Sequence, residues 1–93
     1  MLSQIPVDLK NISEKNLDKE ILRAGIIAEL DAINLYEQMA NMTENSNIKA
    51  VLLDIAKEEK THIGEFQALL LKLDSQQKKE LEEGAKDAEE LSR

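Results

Sequence analysis

Two glutamates and the single histidine of the chain are the residues whose types and spacing best suit chemistry. Glu59 and His62 form a Glu-x-x-His sequence, and side chains three positions apart share one face of a helix. Glu29 lies in an earlier stretch that also has helical spacing of apolar residues. Carboxylate oxygen and neutral imidazole nitrogen are ligands that suit Fe, Mn or Zn. The three residues therefore predict a metal site.

Both stretches place these polar residues in the middle of an apolar stripe. At 100° per residue, Glu59 and His62 fall within about 40° of Ile55. The stripe around them consists of Ile48, Leu52, Ile55, Phe66, Leu69 and Leu73. The stripe around Glu29 consists of Leu22, Ile33, Tyr36 and Ala40. Because burying an unpaired carboxylate costs several kcal/mol, these positions require a compensating partner.

Lysine and arginine do not supply that partner, because they lie off both stripes. The basic residues that lie off these stripes include Arg23 in the first stretch and Lys49, Lys57, Lys60 and Lys72 in the second. Two interpretations follow: a bound metal ion, or a buried polar network in which His62 hydrogen-bonds to a glutamate. Tyr36 follows Glu29 by seven residues on the same face, where it fits either a bond to a ligand carboxylate or an ordinary core position.

The composition and charge of the chain exclude several classes of protein. With 19 Asp and Glu against 12 Lys and Arg in 93 residues, the net charge of −7 argues against binding a phosphate backbone. The absence of cysteine excludes disulfides, thiolate metal sites and thiol catalysis. No apolar run approaches a membrane span, and the N-terminal MLSQIPVDLK lacks the pattern of a signal peptide. We therefore expect a cytoplasmic protein.

The elements that position these residues are predicted to be helices alone. Three glycines, one proline and an abundance of Leu, Ala, Glu and Lys favour an all-α fold. Residues 1–15 show no sustained period and are predicted to form an N-terminal arm. Residues 16–73 are predicted to form an antiparallel two-helix hairpin with its turn at 43–47, where Asn45 or Ser46 opens the second helix.

A shorter C-terminal helix is predicted over residues 74–93, with Asp74 as N-cap and Gln77 three positions later. Gly25 lies inside the first predicted helix, where a glycine is unfavourable relative to alanine. Either a close approach of two helices or a tolerated defect would explain it.

The number of candidate ligands indicates an oligomer. A di-iron carboxylate site in a four-helix bundle takes one Glu from each of two helices and Glu-x-x-His from each of the other two. This chain supplies half of that set, namely Glu29, Glu59 and His62. Two hairpins related by a two-fold axis would supply all of it and form a ferritin-like four-helix bundle. The site therefore predicts a homodimer.

The stretch AELDAINLYEQMA, followed by DIAKEEKTHIGEFQALL, resembles the encapsulated ferritin family, a branch of the ferritin-like proteins. The resemblance covers residues 20–73. The family motif is a Glu followed seven residues later by Tyr, and then Glu-Glu-Lys-x-His. The matching residues are Glu29, Tyr36, Glu58, Glu59, Lys60 and His62. Rubrerythrins have a similar pattern twice per chain, whereas this chain has it once.

The resemblance implies a di-iron ferroxidase centre completed by dimerisation, with dimers assembled into a ring, a decamer in this family. Such proteins oxidise Fe(II) to Fe(III) with oxygen, and an encapsulin shell holds the stored iron. By resemblance, Glu59 bridges two irons, Glu29 and His62 are terminal ligands, and Tyr36 lies next to the ligands. The expected location is an encapsulin nanocompartment in the cytoplasm.

This sequence departs from the family pattern in two places. Ala28 and Leu35 stand where relatives can have Glu and Trp in an outer metal-binding site, and only Asp31 remains there. Free-standing relatives end in a short apolar peptide that docks to the shell, whereas only Ser92 and Arg93 follow Leu91. The chain is then a trimmed one, is joined to the shell protein, or is loaded in another way.

Two other functions are compatible with the residues themselves. One is a non-catalytic helical oligomer whose buried polar residues fix the register of its helices. The other is a protein in which a structural metal, such as Zn or Mn, holds a dimer together without turnover.

Overall fold

The computed structural model describes residues 14–93, which form three helices. They are α1 (Glu14–Met42), α2 (Ser46–Leu73) and α3 (Ser75–Leu91). No strand occurs among the described residues, so the predicted all-α class is confirmed. Helix α1 begins at Glu14, two residues before the predicted start, and the rest of the predicted arm lies outside the described residues.

Helices α1 and α2 form an antiparallel hairpin, in which they pack against each other on either side of a short turn. The backbone N–H of Thr43 donates to the carbonyl oxygen of Met39 at 3.2 Å, at the end of α1. Asn45 is the N-cap of α2, and its side-chain oxygen accepts from the backbone N–H groups of Asn47 and Ile48 at 3.0 and 3.1 Å. Of the two predicted caps, the structure has Asn45.

A single residue, Asp74, joins α2 to α3. Its backbone N–H donates to the carbonyl oxygen of Leu70 at 2.9 Å, and its Oδ1 accepts from the backbone N–H of Gln77 at 3.0 Å. Its Oδ2 accepts from Nη2 of Arg23 on α1 at 2.7 Å. The predicted N-cap is therefore confirmed, and the same carboxylate ties the start of α3 to α1.

These contacts also change the acidity of Asp74. The hydrogen bond from the Gln77 backbone lowers the pKa of the Asp74 carboxyl below its ordinary value, and the charges of Lys19 and Arg23 lower it further. Desolvation acts in the opposite direction but is outweighed. The ionised form of Asp74 is therefore the form that the fold favours.

The hairpin buries only one edge of the predicted apolar stripe on α2. The buried hydrophobic residues of the described chain are Ile33, Ala40, Ala56 and Leu70. Ala56 and Leu70 lie about 60° to 100° around the helix from Ile55, so α1 covers that edge. The opposite edge is exposed at Val51 and Leu69, and Ile48 and Leu73 nearer the centre of the stripe are exposed as well. Two helices have only one line of contact, so a single hairpin leaves part of the stripe exposed.

The overall dimensions agree with an incomplete core. The radius of gyration is 16.4 Å, against roughly 12 Å for a compact domain of this length. The principal extents of 47 × 43 × 19 Å describe a flat molecule in which α3 extends away from the hairpin. No helix in the described part of the chain is long and apolar enough to cross a membrane.

The Asp74 contacts predict a pH-dependent effect of the variant Asp74→Asn. Asparagine keeps an N-cap acceptor for Gln77 but loses the charge that attracts Arg23. Because the folded-state pKa of Asp74 is lowered, its charge stabilises the fold above the unfolded-state pKa, and this contribution is lost as pH falls through the folded-state pKa. We expect Asp74→Asn to have a lower denaturant midpoint than wild type at pH 7, and the gap to close toward pH 3. The measurement uses chelator-treated protein. A difference in denaturant midpoint that stays the same from pH 7 to pH 3 would contradict the prediction.

Candidate metal centre

The three candidate ligands meet where α1 and α2 face each other in the middle of the hairpin. Nδ1 of His62 lies 3.4 Å from Oε2 of Glu29 and 3.8 Å from Oε2 of Glu59. One ligand atom from each residue lies within 4.8 Å of those of the other two. We call Glu29, Glu59 and His62 the central cluster. Within residues 14–93, no other group of His, Cys, Asp or Glu side chains meets this description of a metal site.

The helices position the central cluster through their spacing and their antiparallel register. Glu59 and His62 lie one turn apart on α2, so both point toward the same place. Glu29 reaches them from α1 across the line of contact. One turn further along α1, Ile33 is buried, and one turn before Glu59 on α2, Ala56 is buried. The cluster is therefore bordered by apolar residues along the hairpin.

The charges of the central cluster are not balanced by lysine or arginine. The side chains of Glu29 and Glu59 are each only 19% exposed. Arg23 pairs with Asp74, and Lys60 pairs with Glu37 at 2.9 Å, so in the described chain neither cation neutralises the cluster. Two partly buried carboxylates that face a single imidazole repel each other, and a divalent cation between them would remove that repulsion.

The donor set and its spacing fit a metal ion. Oxygen and nitrogen ligands bind at roughly 2.0 to 2.2 Å, so two ligands of one ion are separated by at most about 4.4 Å. The separations in the central cluster reach at most 4.8 Å, which small rotations of the side chains would bring into range. Two carboxylates and an imidazole suit Fe, Mn or Zn, and three protein ligands leave coordination positions open.

The central cluster is open on one side. The side chain of His62 is 46% exposed, although the sequence pattern led us to expect it in the core. Val51 and Leu69 lie on nearly the same side of α2 as His62, and both are exposed. The apolar residues around this imidazole form a patch of the kind that marks interaction surfaces.

Tyr36 is half-buried on α1 and is not joined to the central cluster by a hydrogen bond in the described chain. Its predicted role next to the ligands stays a prediction. Sequence reasoning missed the close contact of Gly25 with the ring of Phe66. The mid-helix glycine was a signal of a close approach, but its partner could be found only in three dimensions.

The hairpin, its third helix and the central cluster define a ferritin-like helical domain. The sequence profile of the Rubrerythrin family matches residues 20–92. A crystal structure of the encapsulated ferritin domain from Pyrococcus furiosus is similar over 98% of this chain and 95% of that one, with 52% identity and a TM-score of 0.83. The chain belongs to the rubrerythrin family of ferritin-like proteins, and within it to the encapsulated ferritins. The resemblance seen in the sequence is thereby confirmed.

Two curated relatives are longer than this chain. A ferritin-like-encapsulin shell fusion protein of Pyrococcus furiosus is 60% identical over 73 residues, which are 78% of this chain and 21% of that protein. The encapsulin nanocompartment cargo protein EncC of Myxococcus xanthus is 39% identical over 69 residues, which are 71% of this chain and 53% of that protein. The chain thus spans about a fifth and about half of their lengths.

The electrostatics of the central cluster predict that the variant Glu59→Gln affects thermal stability differently with and without bound metal. In chelator, we expect the variant to unfold at a temperature no lower than wild type, because one of two repelling charges is gone. With Mn²⁺ at a hundred times its dissociation constant, wild type gains about 2.7 kcal/mol of stability by linkage. We expect Glu59→Gln to lose most of that gain in a thermal denaturation series.

The matched control for this measurement is Glu58→Gln, which removes the same charge from an adjacent, exposed position. The control should respond to Mn²⁺ as wild type does. Equal metal-induced shifts in wild type and Glu59→Gln would contradict the assignment of Glu59 as a ligand.

Proposed function

We propose that this protein is a ferroxidase that oxidises Fe(II) to Fe(III) at a di-iron site formed between two subunits. The observation that carries the proposal is the convergence of Glu29, Glu59 and His62, while the nearby cations Arg23 and Lys60 pair with other carboxylates. Membership of a ferritin-like family supports iron as the metal.

Two subunits are proposed because one chain provides half of a di-iron carboxylate set. A second central cluster related by a two-fold axis would bring the total to four glutamates and two histidines. The exposed apolar edge of α2 would be buried by the same contact, which also explains how so small a core becomes stable. Such dimers are proposed to assemble into a ring, with a decamer as the expected size.

The roles proposed for the residues follow the resemblance to encapsulated ferritins, and the chemistry of the side chains fits those roles. Iron is the substrate: Fe(II) gives an electron to dioxygen, which is reduced. Glu59 is proposed to bridge two iron ions, with Glu29 and His62 each binding one. Anionic carboxylate oxygens are hard ligands that favour Fe(III) over Fe(II), so Glu29 and Glu59 would assist the oxidation. Tyr36, on the same face of α1 as Glu29, is proposed to orient a ligand carboxylate.

The encapsulin shell is the proposed partner. One relative is named as a fusion to an encapsulin shell and another as a nanocompartment cargo protein. By analogy, this chain would act inside an encapsulin nanocompartment in the cytoplasm and supply iron for storage there.

A structural metal that holds the dimer together without turnover is the second candidate function. The exposed apolar residues around His62 favour it, because they fit a dimer contact whether or not the metal is oxidised.

Oxidation of Fe(II) under air tests the ferroxidase directly. Wild type is compared with Glu29→Ala/Glu59→Ala/His62→Ala, following both ferric absorbance and dissolved oxygen. We expect the triple variant to be slower by at least about tenfold, since even residues that only support metal ligands have effects of that size. Oxidation by wild type should saturate near one iron per chain.

A variant with Glu58→Ala and Glu65→Ala is the control, because it removes two exposed carboxylates of α2 outside the central cluster. It should oxidise iron at the wild-type rate. If wild type binds iron and loses its dimer on chelation but consumes no oxygen, the structural-metal function is correct instead. If all proteins match the buffer background and bind no metal, both metal functions are wrong.

The exposed edge of α2 predicts that Leu69→Glu prevents dimerisation. Leu69 is 52% exposed in the single chain and lies near His62 around the helix. A charge in the proposed interface would have to be buried, so we expect the variant to sediment as a monomer and to lose iron oxidation. Leu53→Glu is the matched control, because Leu53 is 47% exposed on the opposite face. A dimer of Leu69→Glu as stable as that of Leu53→Glu would contradict the proposed interface.

A further inference from the structure

We propose that the contact between Gly25 and Phe66 is a spacer that sets the separation of α1 and α2 beside the central cluster. Through that separation, it positions the three ligand side chains relative to one another. The inference rests on the proposed metal site and adds two positioning residues to it.

A side chain at position 25 would be crowded by the ring of Phe66. A Cβ atom on Gly25 would lie 3.1 Å from Cε2 of Phe66 and 3.2 Å from its Cδ2 and Cζ. Ordinary van der Waals contact at such a position falls between 3.4 and 4 Å. The ring of Phe66 therefore lies against the backbone of α1, and this approach depends on the missing side chain.

The register of the hairpin places this contact next to the candidate ligands. Gly25 precedes Glu29 by four residues on α1, and Phe66 follows His62 by four residues on α2. Each is therefore one helical turn from a ligand, on the same side of the cluster. Because the turn of α1 between them is held by backbone hydrogen bonds, a displacement of the helix at Gly25 would also displace Glu29.

The size of the shift that a Cβ would require explains why this contact matters for metal binding. Adding a Cβ would require the ring or the helix to move by a few tenths of an ångström. Metal–ligand distances are held to within about 0.2 Å, so a shift of this size affects binding more than it affects folding. Folding by itself would favour alanine at position 25, since glycine is a poor helix former. The glycine thus fits a role in positioning.

Gly64 provides a matched control within the same hairpin. It also lies inside a long helix, and a Cβ there would meet nothing within 4 Å. Gly64→Ala therefore adds the same methyl group and the same helix propensity without touching the spacer.

The experiment compares wild type with Gly25→Ala, Gly64→Ala, Phe66→Leu and the double variant Gly25→Ala/Phe66→Leu. Co²⁺ is the probe, because its visible absorption reports both affinity and coordination geometry. We expect Gly25→Ala to fold but to bind Co²⁺ about tenfold more weakly, with an altered spectrum. We expect Gly64→Ala to match wild type and the double variant to regain most of the affinity, because leucine makes room for the new methyl group.

A second measurement needs no metal. In chelator, at one protein concentration, Gly25→Ala should raise the denaturant midpoint less than Gly64→Ala does, and this difference should shrink when residue 66 is leucine. Equal Co²⁺ binding by Gly25→Ala and Gly64→Ala, or no recovery in the double variant, would overturn the inference. If wild type bound no Co²⁺, the proposed function would fail, but the spacer would still be tested by stability in chelator. Changes in the denaturant midpoint at positions 25 and 66 that simply add in the double variant would then overturn the spacer.

Discussion

The structure depends on two partly buried carboxylates that face one imidazole across the line of contact between α1 and α2. Glu29 and Glu59 repel each other, and the nearby cations Arg23 and Lys60 are bound elsewhere. A domain with so small a core gains nothing in stability from such an arrangement unless a cation is bound between the carboxylates. This imbalance is the physical basis for proposing the central cluster as a metal site.

The same constraint explains the unusual surface of the single chain. A pair of helices has one line of contact, and here that line is occupied by small and medium apolar residues such as Ala40, Ala56 and Leu70. The other edge of α2 exposes apolar side chains on both sides of His62. A surface of this kind suits the proposed contact between two subunits, which would complete the site and the core at once and would couple binding to assembly.

Two residues outside the central cluster lie where helices of the chain meet. Gly25 weakens α1 locally, yet it admits the ring of Phe66 one turn from the ligands. Asp74 combines three tasks, since it ends α2, caps α3 and binds Arg23 of α1. In both cases, a residue type that is poor for a helix interior is used where two elements meet.

The sequence by itself determined the helices and the pairing of Glu59 with His62 on one face of α2, because these depend on spacing along a single helix. The sequence also put Glu29 on the apolar face of α1, but the antiparallel register of the hairpin decided that Glu29 meets the other two residues. The period of 3.6 residues put Glu59 beside His62, and the side-chain chemistry of Asn45 and Asp74 fixed the helix ends. Only the tertiary structure decided which edge of the stripe α1 covers, how far His62 is exposed, and that Phe66 contacts Gly25. Those features depend on the rotation of one helix about its axis relative to another, and a pattern along one chain leaves that rotation open.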